Sequence, residues 1–544
     1  MAVIRSNIGN TCRNFKHLLG RKVEAEDLQK ELFWSLSELC ECDDGHAGFR
    51  VMYKGEERRM SAVEVTAMYL TRLRELSEKW CGGKLAGCVI AVPSRYSDVQ
   101  RQAVLDAARV ANINVLRVMN EHTATALAYG IYRSSDFDPE KPMTVAFCSM
   151  GSSVFSVSVV QFWRGRLRVV SERSDMVGGR ELDECLMREF ASQFKKKVGC
   201  DPLSNKKAAF KLEDAVMKTK KVLSANSEAP ITCECLMEDE DFASTITRDD
   251  LEDMCAPAIA KVKAVLESAL AASGMRAEQI DSVEIVGGGC RVPWVKKVCS
   301  EVLGGKELST TMNQEESVAR GCALQAAMLS PLYKVREFKV EDSTAHSILV
   351  GWMGTASDAE AKKPEEEGDI STDAGEGQYK TAVIFPAGSP MNVSKMLTFY
   401  RKGPFDIKAE YENPDALLPG TPKELGTFRI DLPASEAAKK VLVRAKLTLH
   451  GIFTLESAQL VEDEEVEEIV KEKREIPADS KPAEEEAKPE GEEKKEPSES
   501  PEGSPKSEKK EEGSPQAEKK EGEGSPAAEK KDQEPEKKYE WVEV

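Results

Sequence analysis

Three consecutive strand segments followed by a helix, in the middle of the chain, restrict the fold more than any other sequence feature. The first two strands lie in the segment MTVAFCSMGSSVFSVSVVQF, and the short turn WRGR joins the second of them to the third, LRVVSERSD. A connection this short predicts a tight antiparallel hairpin, because a parallel pair needs a long crossover. Gly178 and Gly179 then open the helical segment ELDECLMREFASQF. The sequence therefore predicts antiparallel strands with a helix packed behind them.

Along the chain, the predicted pattern of secondary structure changes near Leu329. From about Asn10 to Leu329, short β-branched runs alternate with longer amphipathic stretches, which predicts an α/β domain. Residues 345–461 contain strand segments separated by Pro and Gly turns instead, and they predict a β-sandwich.

These changes divide the chain into four segments. We predict an α/β domain over 1–330, a linker over 331–344, a β-sandwich domain over 345–461 and a disordered acidic tail over 462–544. An insertion at 355–377, with eight acids and two lysines, interrupts the β-domain and predicts a disordered loop. The tail holds 30 acids and 16 bases, and it repeats a unit beginning Glu-Gly-Ser-Pro.

Charge and cysteine content exclude several classes of protein. The 544 residues carry 95 acids and 76 bases, a net charge of −19, which disfavours nucleic acid as a partner. The 14 cysteines are irregularly spaced, and the pairs Cys40/Cys42 and Cys233/Cys235 lack the usual zinc spacing, so no metal site is predicted. No apolar run reaches transmembrane length, and no membrane partner is predicted. We expect a cytoplasmic protein, with the nucleus as an alternative location.

Two motifs suggest a ligand, and each has a structural alternative. A strand ending at Val286 runs into Gly287, Gly288 and Gly289, then Arg291, and glycines of this kind admit a ligand close to the backbone. Glycine-rich turns also arise from packing alone. On the helix AAFKLEDAVMKTKKVLSAN, Lys220 and Ser224 lie four residues apart and could contact one ligand, or belong to a solvated edge.

Several motifs together resemble the seventy-kilodalton heat-shock protein superfamily. They include NFKHLLGRK, VIAVPSRYSDVQRQAVLDAA, VGGRELDE, KKVLSAN and EIVGGGCRVPWVKK, and the resemblance covers residues 10 to about 461. The segments KVREFKVED, MLTFYRKGPFDIKAEY and LHGIFTLESAQLV are similar to the hundred-and-ten-kilodalton branch. The resemblance implies an actin-like ATPase domain with two lobes around a nucleotide cleft, followed by a β-sandwich substrate-binding domain.

The resemblance also implies roles for individual residues. Lys220, Lys221 and Ser224 resemble the family's adenosine clamp, while Gly287, Gly288 and Arg291 resemble the opposite wall of its cleft. Lys16 matches the lysine that positions the γ-phosphate. Pro93, Arg101 and Glu121 match the relay that couples the nucleotide to the second domain.

The chain departs from the family pattern where phosphate and metal would bind. It begins after the strands that carry the family's phosphate hairpin, which suggests that the α/β domain lacks its first strands and that both termini are truncated. Ser149 stands where the family has an aspartate beside Mg²⁺, and Met217 replaces a glutamate expected at the ribose. A neutral serine cannot orient hydrated Mg²⁺ as a carboxylate does. We therefore expect weak binding of ATP or ADP, poor retention of Mg²⁺, and vestigial catalytic roles for Lys16 and Glu121.

Three functions remain open from the sequence. The first is a co-chaperone without efficient hydrolysis, which holds unfolded polypeptide clients and promotes nucleotide exchange on a seventy-kilodalton heat-shock chaperone. The second is an ATP-dependent folding chaperone with residual ATPase activity. The third is a passive acidic solubiliser that acts through its tail. Ser149 favours the first over the second, and the large α/β domain favours the first over the third.

Overall fold

The computed structural model describes residues 2–23, 28–332, 334–355, 377–461, 471–475 and 539–543. The chain divides into two compact units, Met1–Glu462 and Asp463–Val544. Among the described residues, no helix is both long enough and apolar enough to cross a lipid bilayer.

The first part of the α/β domain is built from two small sheets and five helices. Strands β1 to β3 form an antiparallel sheet, and β4 and β5 form a parallel pair. The elements are α1 (Ala2–Ser6), α2 (Leu28–Trp34), β1 (Glu38–Glu41), β2 (Ala47–Tyr53), β3 (Glu56–Ser61), α3 (Ala62–Cys81), β4 (Cys88–Val92), α4 (Asp98–Val110), β5 (Val115–Asn120) and α5 (Glu121–Gly130). Capping boxes fix the starts of α3 and α4, where Ser61 and Ser97 accept hydrogen bonds from Glu64 and Gln100 backbone N–H groups.

The second part contains the predicted strand, strand, strand, helix order. Its elements are β6 (Met143–Met150), β7 (Phe155–Trp163), β8 (Arg166–Asp175), α6 (Gly179–Val198), α7 (Lys206–Leu223), β9 (Glu228–Met237), β10 (Glu240–Thr247), α8 (Arg248–Met254), α9 (Ala256–Ser273), β11 (Ser282–Val286), α10 (Pro293–Val302), β12 (Leu308–Ser309) and α11 (Ser317–Leu329). Gly165, at φ +79°, makes the turn between β7 and β8. Strands β9 and β10 form a separate antiparallel pair.

The main sheet of this part has the order β12-β11-β6-β7-β8-β13, where β13 is Lys339–Glu341. Strand β13 lies inside the segment 331–344 that the sequence predicts as a linker. It pairs in parallel with β8, and Phe338 beside it is buried in the core. The part of this segment around Phe338 and β13 is therefore not a free linker, because it packs onto the α/β domain.

The β-sandwich consists of two antiparallel sheets, with strand orders β15-β14-β17-β18 and β16-β19-β20. The strands are β14 (Ile348–Met353), β15 (Tyr379–Phe385), β16 (Val393–Arg401), β17 (Phe405–Tyr411), β18 (Glu424–Ile430), β19 (Lys439–Leu447) and β20 (Phe453–Val461). Trp352 and Phe399, one from each sheet, meet edge to face with ring centroids 5.5 Å apart in the core. Residues 356–376, most of the predicted disordered insertion, lie outside the described residues.

The tail contains one described strand pair. Strand β21 (Lys471–Glu475) pairs antiparallel with β22 (Tyr539–Glu543), and the register places Lys471 opposite Glu543 and Arg474 opposite Glu540. The sequence predicts disorder for this part of the chain, whereas these ten residues are described as paired strands. Residues 462–470 and 476–538, on which the rest of that prediction rests, lie outside the described part of the chain.

Candidate functional site

A narrow cleft with a cavity volume of about 10 Å³ lies between α7, α8 and the start of α10. Helix α7 buries the face formed by Leu212, Val216, Thr219 and Leu223, and Lys220 and Ser224 both line the cleft. The cleft is completed by Leu223, Arg248, Leu251, Glu252, Val292, Pro293 and Trp294. The structure thus brings together two of the three residues predicted as an adenosine clamp.

The Lys220 ammonium is held in place at the cleft by two acceptors. Its Nζ donates to the Gly179 carbonyl at 2.8 Å and to Asp183 Oδ2 at 2.7 Å. Burial raises the pKa of Asp183, although the neighbouring Lys220 acts to lower it. A lysine ammonium has three donor hydrogens, so one remains for a ligand after these two contacts.

The other predicted nucleotide-binding residues lie outside the lining of this cleft. Lys221 is exposed on α7. The Arg291 side chain is 58% exposed and pairs with Glu315 at 3.1 Å, while its Nε donates to Gln314 Oε1. Arg291 therefore has protein partners of its own, and it is not held over the cleft.

The glycines after β11 are explained mainly by packing. A Cβ on Gly287 would lie 2.4 Å from the Met150 carbonyl oxygen, and one on Gly289 would lie 2.6 Å from Met150 Cγ. Gly287 also has φ +85°, which side chains rarely adopt. A Cβ on Gly288, by contrast, would meet no atom within 4 Å. Of the three, Gly288 is the one whose surroundings leave room for a ligand.

The loop between β6 and β7 closes onto the N-terminus of α6. Gly179 N–H donates to the Gly151 carbonyl at 3.0 Å, and Arg180 N–H donates to the Ser152 carbonyl at 2.8 Å. These helix N–H groups are the donors that an anion at a helix N-terminus would use. Ser149 lies opposite Ser156 in the β6–β7 register. Both side chains carry a neutral hydroxyl, so neither contributes a negative charge here. The N–H groups of Gly179 and Arg180 are therefore already paired with loop carbonyls.

Lys16 is exposed on a 3₁₀ turn, Phe15–His17, at the edge of a group of cations. Burial, together with Arg180, Lys16 and two further arginines, lowers the pKa of His17 to about 2. Arg180 is itself neutralised by a buried bidentate pair with Glu31, at 3.0 and 2.8 Å.

Glu121 is half-buried at the first position of α5. Within the described residues, no cluster of His, Cys, Asp or Glu could hold a metal ion.

Arg101 connects α4 to the β-sandwich. Its guanidinium is buried and donates to Tyr96 O, Ser94 O and Asn120 Oδ1, and also to the His450 carbonyl at 3.2 Å. Pro93 lies in the same loop, where its carbonyl accepts from Tyr96 N–H. Of the residues predicted to couple the domains, Arg101 donates a hydrogen bond directly to the β-sandwich.

A second polar contact between the domains lies beside Arg101. Asp98 Oδ2 accepts from Phe453 N–H at 2.7 Å, and Asp98 Oδ1 accepts from the Tyr411 hydroxyl at 3.0 Å. Burial raises the pKa of Asp98 to about 6, although both hydrogen bonds and the charge of Arg101 act to lower it. The carboxyl is therefore poised to change its charge near neutral pH.

A third contact is made by Asp342, which follows β13. Asp342 is buried and accepts from Arg117, from the Asn120 side chain at 2.9 Å, and from Thr123 Oγ1 at 2.6 Å. Burial acts to raise the pKa of Asp342, but Arg117 and the other partners hold it below its usual range. The segment entering the β-domain is thus fixed to α5 and β5 by a compensated buried charge.

Sequence reasoning missed Asp98, Asp342 and Trp294. Asp98 and Tyr411 are 313 residues apart, and no local pattern predicts such a contact. Trp294 is buried at the cleft, and its indole N–H has no acceptor among the described residues. A buried donor without a partner is costly, so a ligand with an acceptor atom would fit here. Trp294 follows Pro293 in the motif EIVGGGCRVPWVKK, and that motif is the sequence signal that could have indicated it.

Comparison with known proteins agrees with this architecture. The family model described as Hsp70 protein matches residues 2–544. The chain is 38% identical to heat shock 70 kDa protein 14 of Arabidopsis thaliana over 464 residues, covering 85% of this chain and 54% of that protein. It is 39% identical over 469 residues to human heat shock 70 kDa protein 4, covering 85% and 53%. It is also 38% identical over 473 residues to heat shock protein hsp88 of Neurospora crassa, covering 86% and 64%.

The chain therefore belongs to the Hsp70 family of chaperones, and the resemblance to the branch of heat shock 70 kDa protein 4 is confirmed. The family implies an actin-like ATPase domain and a β-sandwich, which agrees with the mixed α/β sheets and the two-sheet domain described above. Proteins of the Hsp70 family bind ATP or ADP. The chain spans little more than half the length of the first two relatives.

Proposed function

We propose that this protein is a chaperone that holds unfolded polypeptides without hydrolysing ATP efficiently, and that it promotes nucleotide exchange on a seventy-kilodalton heat-shock chaperone. The closure of the β6–β7 loop onto α6 carries the proposal. The carbonyls of Gly151 and Ser152 use the helix donors that would otherwise bind a phosphate. Phosphoryl transfer requires several charged groups fixed around the phosphate, and neutral Ser149 supplies none of that charge.

The adenosine side of the cleft supports weak binding of ATP or ADP. Lys220 would donate its remaining hydrogen, Ser224 lies beside it, and the Trp294 indole N–H would gain an acceptor. A bound nucleotide would fill this cleft, but the cleft would not stabilise the charge that develops on its phosphates during hydrolysis. Mg²⁺ would be held poorly, because Ser149 is neutral.

The contacts between the domains support a role in holding clients. Asp98, Arg101 and Asp342 fix the β-sandwich and the segment before it to the α/β domain through buried hydrogen bonds. These contacts need no phosphate to form. Extended apolar peptides could then add to the β-sandwich through backbone pairing and side-chain pockets. We place this activity in the cytoplasm, where such clients and a partner chaperone are both present.

Release of a fluorescent ADP analogue from a seventy-kilodalton heat-shock chaperone tests the exchange activity. We expect micromolar amounts of the full chain to accelerate release, whether or not the chain itself has been incubated with ATP. The Lys220→Met variant of this chain serves as the control, because it weakens the chain's own cleft. No acceleration by the full chain would contradict the exchange activity, and loss of acceleration in Lys220→Met would show that it depends on this chain's nucleotide.

A further inference from the structure

Helix α3 carries one apolar stripe that is buried in the first half of the helix and exposed in the second half. In the first half, Ala62 and Val65 lie in the core of this part of the domain. The stripe then continues at helical spacing through four large apolar residues, Tyr69, Leu73, Leu76 and Trp80. Their exposed fractions are 52%, 41%, 47% and 91%. A core-facing surface of the helix therefore runs out into solvent.

The exposed half of the stripe is a continuous surface rather than a set of scattered side chains. Tyr69 packs on Phe15 with ring centroids 5.5 Å apart, which joins the stripe to the core at one end. Tyr132 is 76% exposed as well, but it lies on a three-residue 3₁₀ turn that carries no such stripe. Single exposed apolar residues are common on proteins, whereas a contiguous apolar patch marks an interaction surface.

The order of residues along the stripe suits a second copy of the same chain. The aromatic residues Tyr69 and Trp80 lie at its two ends, and Leu73 and Leu76 lie between them. If two copies of α3 pack antiparallel about a two-fold axis between the leucines, Tyr69 faces Trp80 of the second copy. Leu73 then faces Leu76 of the second copy. One surface thus pairs with itself, as in most symmetric dimers, and the aromatic pairs add to the burial of area.

The area of the stripe is the area that a weak dimer needs. At about 150–250 Å² for an aromatic side chain, the four exposed residues present roughly 500 Å² of apolar surface per copy. Two copies would bury about 1,000 Å² in total, which is the lower limit for a specific interface. Arg72 and Glu75, on the flank of the stripe, pair with each other at 3.1 Å, so closing the interface strands neither charge. A reversible dimer is therefore expected.

We propose that two copies of this chain associate through α3, packed antiparallel along the stripe Tyr69, Leu73, Leu76 and Trp80. The inference goes beyond the function proposed above and does not rest on it, because it concerns only the exposed half of α3. The other candidate occupant is an extended apolar peptide, for which the symmetric order of the stripe offers no reason.

Sedimentation velocity of the full chain, from about 1 to about 100 μM, tests the association. We expect a monomer at the lowest concentration and a reversible dimer at the highest. The double variant Leu73→Glu, Leu76→Glu places charges at the centre of the interface and should raise the concentration for half-association at least about tenfold. Tyr132→Glu is the matched control, because it adds the same charge at an exposed position outside the stripe. Circular dichroism verifies that both variants are folded.

Cysteine substitutions test the antiparallel order. Mild oxidation of a mixture of the Tyr69→Cys and Trp80→Cys variants should give a disulfide between positions 69 and 80 of two copies, identified by peptide mapping. Tyr69→Cys alone should not crosslink to itself, because the two positions would lie roughly 16 Å apart along antiparallel helices. That separation is beyond the reach of a disulfide. Exposed Cys81 and Cys235 are present in both samples and give the same background.

Three results would overturn the proposal. The first is a chain that stays monomeric over the whole concentration range, or whose association is unchanged by the double glutamate variant. The second is an equal disulfide yield in Tyr69→Cys alone, since that would indicate parallel helices. The third is binding of an extended apolar peptide to a monomeric chain, lost in the double variant, which would assign the stripe to clients instead.

Discussion

The phosphate end of the cleft and the contact between the two domains use polar groups in opposite ways. At the phosphate end, the α6 N–H groups are satisfied by loop carbonyls, and Ser149 is neutral. Where the domains meet, charged Asp98, Arg101 and Asp342 are buried and fully engaged with partners across the boundary. Buried charges are costly unless paired, so a dense network of them specifies one arrangement of the domains. This difference supports the proposal that client holding does not depend on hydrolysis of ATP.

The largest expected effect follows from removing the charge of Asp342. Asp342→Asn leaves the Arg117 guanidinium buried without its carboxylate, which costs about 3–5 kcal/mol of unfolding free energy. Urea denaturation at pH 7 measures the loss. Glu341→Gln is the matched control, because Glu341 pairs with the 70% exposed Lys339. An exposed pair contributes about 0–1 kcal/mol, so equal losses in the two variants would contradict the account.

The interdomain network was largely beyond the reach of the sequence. The seven strands of the β-sandwich and the hairpin around Gly165 follow from alternation and turn residues, which are local signals. The buried face of α7, from Leu212 to Leu223, follows from helical spacing for the same reason. Strand β13 and Asp342 do not, because a short polar segment has no periodicity and its partners are more than 200 residues away.

The same limit explains the outcome at the cleft. The spacing of Lys220 and Ser224 predicts that both lie on one side of a helix, and both residues line the same cleft. The glycines after β11 suggested a ligand equally well, yet Gly287 and Gly289 are required by Met150, which belongs to another strand. A turn in the sequence does not show which atoms will face it.

The next effect concerns pH and Asp98. The pKa of this carboxyl is raised from 3.8 to about 6, so the folded state prefers the neutral form. Its unfavourable contribution is present above the folded value and disappears as the pH falls through 6 toward 3.8. Asp98→Asn mimics the neutral acid and should stabilise the chain at pH 8 by about 1–3 kcal/mol.

Thermal unfolding at pH 8 and pH 5 measures this contribution. The difference in thermal stability between pH 8 and pH 5 should be smaller in Asp98→Asn than in the unmodified chain. Asp106→Asn on the same helix serves as the control, since Asp106 is exposed and pairs with Arg109 on the surface. Identical pH profiles for Asp98→Asn and the unmodified chain would contradict the role of Asp98.

A smaller effect is expected at the adenosine side of the cleft. Trp294→Phe removes the unpartnered indole N–H and should weaken ADP binding by about fivefold, the equivalent of one hydrogen bond of about 1 kcal/mol. Titration with a fluorescent ADP analogue measures the change. Trp163→Phe is the control, because the Trp163 indole N–H already donates to the Glu140 carbonyl. An unchanged ADP affinity in Trp294→Phe would show that the nucleotide does not bind in this cleft.

The smallest effect is expected from restoring a carboxylate at Ser149. Ser149→Asp should produce no measurable single-turnover ATP hydrolysis, because the α6 donors stay committed to Gly151 and Ser152. Groups that stabilise a transferring phosphoryl act as a unit, and restoring one of them recovers almost nothing. Appreciable turnover by this single substitution would reinstate the ATP-dependent folding chaperone.

Light scattering of a heat-denatured client enzyme, with the full chain and with or without ATP, tests whether the chain holds clients independently of ATP. We expect the chain to suppress aggregation to the same extent in both conditions, because client holding depends on the β-sandwich and its fixed contact rather than on hydrolysis. Suppression that requires ATP, or no suppression at stoichiometric excess of the chain, would contradict it.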